Sequence, residues 1–193
     1  MMLRSFIALE IPPGIQREIA RSTAALQKAL PKPLVRWVPQ ANVHLTLKFL
    51  GDVSPANLER VAEALRLESS QYAAFTMTVG GFGAFPTSRR ARVIWIGLQA
   101  PPALSALQRG VESVAARQGY PPEERPFSPH LTIGRVSQNL STAEQARVRT
   151  ALEAAQVGEL GQVAVEAVHI FKSDLQPAGS IYTLLYTIPL KKL

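Results

Sequence analysis

The sequence predicts an α+β fold in which two mostly antiparallel sheets, with helices outside them, flank a central cleft. Three observations predict it. The chain repeats itself: IALEIPP (7–13) resembles IGLQAPP (96–102), HLTLKFLG (44–51) resembles HLTIGRV (130–136), and SPANLERVAEAL (54–65) resembles STAEQARVRTAL (141–152), in the same order and at nearly the same spacing. Each copy alternates β-rich apolar runs with stretches of helical period. No long linker or low-complexity segment intervenes, so the 193 residues read as one domain of two pseudo-symmetric halves, about 1–91 and 92–193.

The elements follow in parallel in the two halves. A β-rich strand (3–9, then 92–98) meets a double proline suited to a helix start, and helical patterns follow at 14–30 and 103–118. The His-Leu-Thr strands come next. Ser54 and Ser141 are good N-caps for the helices after them. Strands close each unit: 73–82 and 92–98 flank a loop containing Gly, Pro and Arg, while 163–173 and 181–190 flank DLQPAGS, a plausible hairpin turn.

Composition narrows the chemistry. The chain has no cysteine, which excludes disulfides, thiolate metal sites and cysteine nucleophiles. Its N-terminal apolar run is too short, and too soon broken by Glu10 and Pro12, for a signal peptide or membrane span, so a cytoplasmic protein with no membrane partner is expected. A formal charge of +7 raises the odds of a polyanionic partner such as RNA, although a solvated basic surface explains it equally well.

The central observation is the pair of His-x-Thr strands. Side chains at i and i+2 share a strand face, so His44 and Thr46 project together while Leu45, Leu47 and Phe49 point the other way. The same parity groups Ser128, His130 and Thr132 against Leu131 and Ile133. One such histidine is more often structural than catalytic, but two of the chain's three histidines sit at equivalent places in a duplicated unit. Related by an approximate two-fold axis, they would line opposite walls of one cleft. Near neutral pH one imidazole can act as base and a protonated neighbour as acid, while threonine hydroxyls donate to phosphate oxygens. A small phosphodiester suits that set, and no metal or other cofactor is called for. A mononuclear metal site is the competing chemistry, but it wants a third ligand that the spacing does not supply. His169 has Phe171 at its second position and reads as structural or exposed.

With those strands in view, the sequence resembles the two-histidine phosphoesterase superfamily, specifically its LigT-like RNA 2',3'-cyclic phosphodiesterases, historically also called 2'-5' RNA ligases. RSFIALEIP, RWVPQANVHLTLKFLG, GFGAFPTSRRARVIWIGL, FSPHLTIGRV and SDLQPAGSIYTLL carry the resemblance across nearly the whole chain. It implies a bilobal fold with a central groove, and opening of RNA ends or nucleoside 2',3'-cyclic phosphates to a 2'-phosphate without metal. It assigns His44 as proton donor to the leaving 3' oxygen and His130 as acceptor from water. Thr46 and Thr132 match phosphate-contacting threonines, and Arg135 matches an arginine thought to hold phosphate. Strict alternation turns Arg135 away from His130 unless Gly134 bends the strand.

Other residues keep two readings. By parity Lys48 shares the His44 face and either attracts phosphate or is a solvated edge lysine. Arg89, Arg90 and Arg92 either track an RNA backbone, with Phe82 or Phe85 stacking a base, or form a basic loop over aromatic anchors. Trp37 and Trp95 read as core. Two alternative functions also stand: an enzyme of 2'-5' linkages, cleaving or ligating, and an RNA-end-binding module without turnover. No obligate protein partner is inferred.

Overall fold

The computed structural model describes residues 2–176 and 179–191. Local chemistry sets the helix starts. Pro13 and Pro102 occupy the first positions of α1 (Pro13–Ala29) and α3 (Pro102–Arg117), where the missing N–H has no intrahelical partner to lose. The Ser54 and Ser141 hydroxyls cap α2 (Pro55–Ser69) and α4 (Thr142–Ala154), accepting from the Asn57 and Glu144 N–H groups at 3.2 and 3.3 Å. The Glu144 carboxylate reaches back to the Ser141 N–H at 2.8 Å and completes a capping box.

Nine strands are present among the described residues: β1 (Leu3–Glu10), β2 (Val35–Trp37), β3 (His44–Val53), β4 (Phe75–Phe85), β5 (Val93–Gln99), β6 (His130–Val136), β7 (Glu159–Val165), β8 (Ala167–Gln176) and β9 (Gly179–Pro189). They form two antiparallel sheets, in the orders β3-β1-β8-β9 and β2-β6-β5-β4-β7. Each sheet draws strands from both halves of the chain. Thus β8 and β9 close the sheet begun by β1 and β3, while β2 and β4 join the sheet of β5 and β6. The stretch 163–173, expected as one strand, divides at Glu166 because β7 and β8 belong to different sheets. In DLQPAGS, Gln176 pairs with Gly179; the two residues between them lie outside the described residues.

One contiguous core joins the sheets. Ile7, Leu9, Leu45 and Leu47 of the first meet Ile94, Ile96, Leu131 and Ile133 of the second, together with Leu58, Val61, Leu65, Leu104, Leu107 and Val111 from α2 and α3. Each such side chain contributes about 1.5–3 kcal/mol through burial. Strand β1 is buried on both faces: Ile7 and Leu9 enter this core, whereas Phe6 and Ala8 join Phe171 in a small second cluster on the opposite face. That opposite face is a packed floor, and it underlies His44. No helix among the described residues is long and apolar enough to cross a membrane.

Gly83 shows how tightly the five-stranded sheet is built. It lies opposite Trp95 in the β4–β5 ladder, and a Cβ there would fall inside the Trp95 ring. Gly83→Ala is therefore expected to cost about 1–3 kcal/mol, seen as a lower urea midpoint at unchanged m. Gly158→Ala, where a Cβ meets nothing within 4 Å, should stay within about 0.5 kcal/mol. Equal effects of the two substitutions would contradict this packing.

Candidate active site

The two His-x-Thr strands carry the same irregularity. In the β1–β3 ladder, Ala8 pairs with Thr46 and Ile7 with Lys48, so Leu47 is an extra residue. In the β5–β6 ladder, Trp95 pairs with Thr132 and Ile94 with Gly134, so Ile133 is extra. Each is a β-bulge, which reverses the parity of the residues beyond it. Consecutive residues Leu47 and Lys48 are consequently buried, as are Ile133 and Gly134, while Phe49 and Arg135 are exposed.

This corrects the alternation reading at three places. Phe49 is not on the core side; it lies with His44 and Thr46, 58% exposed, its ring 6.1 Å from Phe6. Arg135, which strict alternation turned away, lies with His130 and Thr132. Lys48 is neither beside His44 nor a solvated lysine: it is 2% exposed. Its ammonium donates to Glu112 Oε2 of α3 at 3.0 Å and to the Pro121 carbonyl at 2.7 Å, with Glu123 at 3.7 Å.

His44 and His130 open their strands in matching geometry. His44 Nδ1 lies 2.7 Å from the Asn42 carbonyl, and His130 Nδ1 lies 2.7 Å from the Ser128 carbonyl. A carbonyl only accepts, so Nδ1 carries the proton in both rings and Nε2 of the neutral form is left as the acceptor. His44 Nε2 lies 2.9 Å from Thr46 Oγ1, whose hydroxyl donates to the neutral ring. Strands β3 and β6 also pack against each other between the sheets.

The walls differ. The His44 ring stacks on Phe6 at 4.7 Å and meets Tyr182 edge-on at 5.2 Å. Asn42, whose carbonyl orients His44, donates its side-chain amide to the Ser180 carbonyl at 2.6 Å and so ties β9, with Tyr182, to the site. Burial pushes the His44 imidazole below its ordinary pKa, while the bond to the Asn42 carbonyl acts in the opposite direction. His130 meets the edge of Phe85 at 5.0 Å, and Phe85 lies 5.2 Å from Trp95.

Phe6, Phe49 and Tyr182 were not singled out from sequence. Phe49 is hidden by the bulge; Phe6 and Tyr182 reach His44 only through sheet pairing. Of the arginines considered, Arg89 and Arg90 are exposed in a short turn (Ser88–Arg90) that packs against α4. Arg92 instead borders a cavity of about 400 Å3 with Arg36 and Arg135. Phe82 packs on the main core. Trp37 and Trp95 are half-buried, and Trp37 donates to the Leu30 carbonyl at 2.9 Å. His169 is buried, its Nδ1 3.3 Å from Thr187 Oγ1 and its Nε2 3.7 Å from Glu10. Burial pushes its pKa down, against the pull of Glu10. Among the described residues, no three His, Asp or Glu side chains gather as a metal-binding group.

Removing the Lys48 ammonium would strand Glu112 and the Pro121 carbonyl. Lys48→Ala is expected to destabilise the fold by about 3 kcal/mol in urea unfolding. A loss below about 1 kcal/mol would mean that the ion pair is worth no more than a surface one.

Comparison with known proteins places this architecture. The RNA 2',3'-cyclic phosphodiesterase of Methanothermobacter thermautotrophicus is 34% identical over 95% of this chain and 96% of its own length. That of Thermotoga maritima is 31% identical over 95% and 94%. The crystal structure of Escherichia coli LigT complexed with 3'-AMP superposes with a TM-score of 0.75 at 29% identity, covering 98% of this chain and 99% of that one. The LigT-like phosphoesterase family matches twice in succession, over residues 9–95 and 96–182, and the chain belongs to that family.

Proposed function

We propose that this protein hydrolyses terminal 2',3'-cyclic phosphates of RNA, leaving a 2'-phosphate, with His44 and His130 as an acid–base pair. The observation that carries the reading is the matched orientation of the two imidazoles. Each commits Nδ1 to a backbone carbonyl two residues earlier and leaves Nε2 on a face shared with threonine. Relatives over nearly the full length that bear the name RNA 2',3'-cyclic phosphodiesterase support the substrate class.

In this reaction His130 Nε2 takes a proton from water as its oxygen attacks phosphorus. The bond from phosphorus to O3' breaks, and His44 Nε2–H protonates O3'. The product carries a 3'-hydroxyl and a 2'-phosphate. Thr46 and Thr132 donate to non-bridging oxygens, and the Arg135 guanidinium offsets the charge of the phosphate. For the Thr46 hydroxyl this means exchanging its bond to His44 for one to the substrate.

Burial of His44 favours its neutral form in the free protein, whereas a donor must start protonated. The substrate anion restores the proton by stabilising the imidazolium beside it. Two limbs of the pH profile then separate. Since kcat/KM reports the free enzyme and kcat the complex, the descending limb of kcat/KM should lie below pH 6.5 and that of kcat at higher pH. A limb of kcat/KM that instead rises through that pH would exchange the roles of the two histidines.

The direct test is a short RNA ending in 2',3'-cyclic phosphate, incubated with the protein and a chelator. Wild type should form the 2'-phosphate, and His44→Ala or His130→Ala should each lower turnover by at least about a hundredfold. An intact cyclic end with wild type, or full activity of both variants, would overturn the reading in favour of 2'-5' chemistry or binding alone.

A further inference from the structure

A cavity borders the exit of each His-x-Thr strand. The one beside β3 is about 460 Å3 and is bounded by Lys48–Gly51 and the segment Tyr120–Arg125. The one beside β6 is about 400 Å3, bounded by Arg135–Gln138 with Pro33, Arg36, Arg92 and Val93. Phe49–Gly51 and Arg135–Ser137 are equivalent positions of the duplicated unit, so these are two copies of one feature. Their chemistry has diverged. The first holds Glu123 and Glu124 beside Arg125, and its buried cation Lys48 is already paired with Glu112. The second holds three guanidiniums and no carboxylate.

The arginines are placed in a way the fold alone does not favour. Arg36 and Arg135 are direct partners in the β2–β6 ladder, so both project from one face, where like charges repel. All three are exposed, and among the described residues none has an Asp or Glu within ion-pair distance. An anion entering the cavity would therefore meet three guanidiniums that no carboxylate of the described residues neutralises. Arg135 also belongs to the face of His130 and Thr132; because Ile133 is bulged, it lies only two ladder positions, about 7 Å, beyond Thr132 along the strand. The face of the imidazole thus leads to the arginine cavity, whereas the matching cavity beside β3 carries Glu123 and Glu124.

We propose that Arg36 and Arg92, beside the Arg135 that faces the reacting phosphate, form a second phosphate subsite, which holds a backbone phosphodiester of the RNA upstream of its cyclic end. The inference rests on the proposed reaction and deepens it: the preferred substrate is an oligonucleotide, recognised through its chain beside the His130 wall, and not a free cyclic mononucleotide.

The test compares cytidine 2',3'-cyclic phosphate, which has no 5' phosphate, with a tetranucleotide ending in the same cyclic nucleotide. Wild type should show the higher kcat/KM on the tetranucleotide. Arg36→Gln with Arg92→Gln should lower that value at least tenfold, mainly through KM, and leave the mononucleotide within twofold. The slope of log KM against log salt should fall by about 0.7 as the contact with one phosphate is lost. Equal wild-type efficiency on the two substrates, equal losses on both, or no loss on the tetranucleotide would overturn the subsite. Should wild type turn over neither substrate, the proposed reaction fails by itself. The subsite is then read from binding of a fluorescent tetranucleotide with a 3'-phosphate: tenfold weaker binding by the double variant supports it, and unchanged binding overturns it.

Discussion

The bulged residue that directly follows each His-x-Thr pair decides which side chains share the face of the two histidines. Leu47 and Ile133 are the bulged residues, at equivalent positions of the two halves. Without them, simple alternation would turn Phe49 and Arg135 into the core and Lys48 out of it. An unpaired buried guanidinium costs several kcal/mol, so an unbulged β6 could not keep Arg135 and the core together. The two halves meet the inward position beyond the bulge differently. One uses Lys48, neutralised by Glu112 and the Pro121 carbonyl. The other uses Gly134, because the space is filled by Trp37 and Val35, each 3.0 Å from where a Cβ would stand. The same device thus delivers an aromatic side chain to one wall and a cation to the other.

The second dependence is on backbone carbonyls at the strand entrances. Asn42 and Ser128 hold their histidines by Nδ1, so the outward direction of both Nε2 atoms is set by main chain. This makes the orientation of both imidazoles a property of the segments that lead into β3 and β6. Phe6 and Tyr182 then press His44 toward its neutral form. The duplicated scaffold thereby gives its two imidazoles unlike surroundings, Phe6 and Tyr182 at His44 and Phe85 at His130.

Much of this was legible in the sequence wherever the signal is local. The proline and serine helix starts, the strand apolarity and the duplicated His-x-Thr pairs all rest on chemistry within a few residues. The division of strands between sheets was not legible, because pairing β8 with β1 or β4 with β5 is a contact between distant segments. Nor was the break at Glu166, where one apolar run serves two sheets. The bulges left no local signature, and Lys48 and Phe49 were placed on the wrong faces as a result. Arg36 carries no local signal either, because only the β2–β6 register sets it opposite Arg135. The roles of individual residues came from family resemblance, while the pairing of two imidazoles came from the repeat itself.

In the proposed reaction two imidazoles, oriented through Nδ1, present their Nε2 atoms to one phosphate. Nitrogen-15 NMR of histidine-labelled protein, titrated with and without a 2'-phosphate-ended dinucleotide, tests it most directly. The expected result is the Nδ1–H tautomer for neutral His44 and His130, a titration of His44 below pH 6.5 in the free protein, and an upward shift of that titration on binding. An Nε2–H tautomer in either ring, or a His44 titration that the phosphate leaves unmoved, would contradict it.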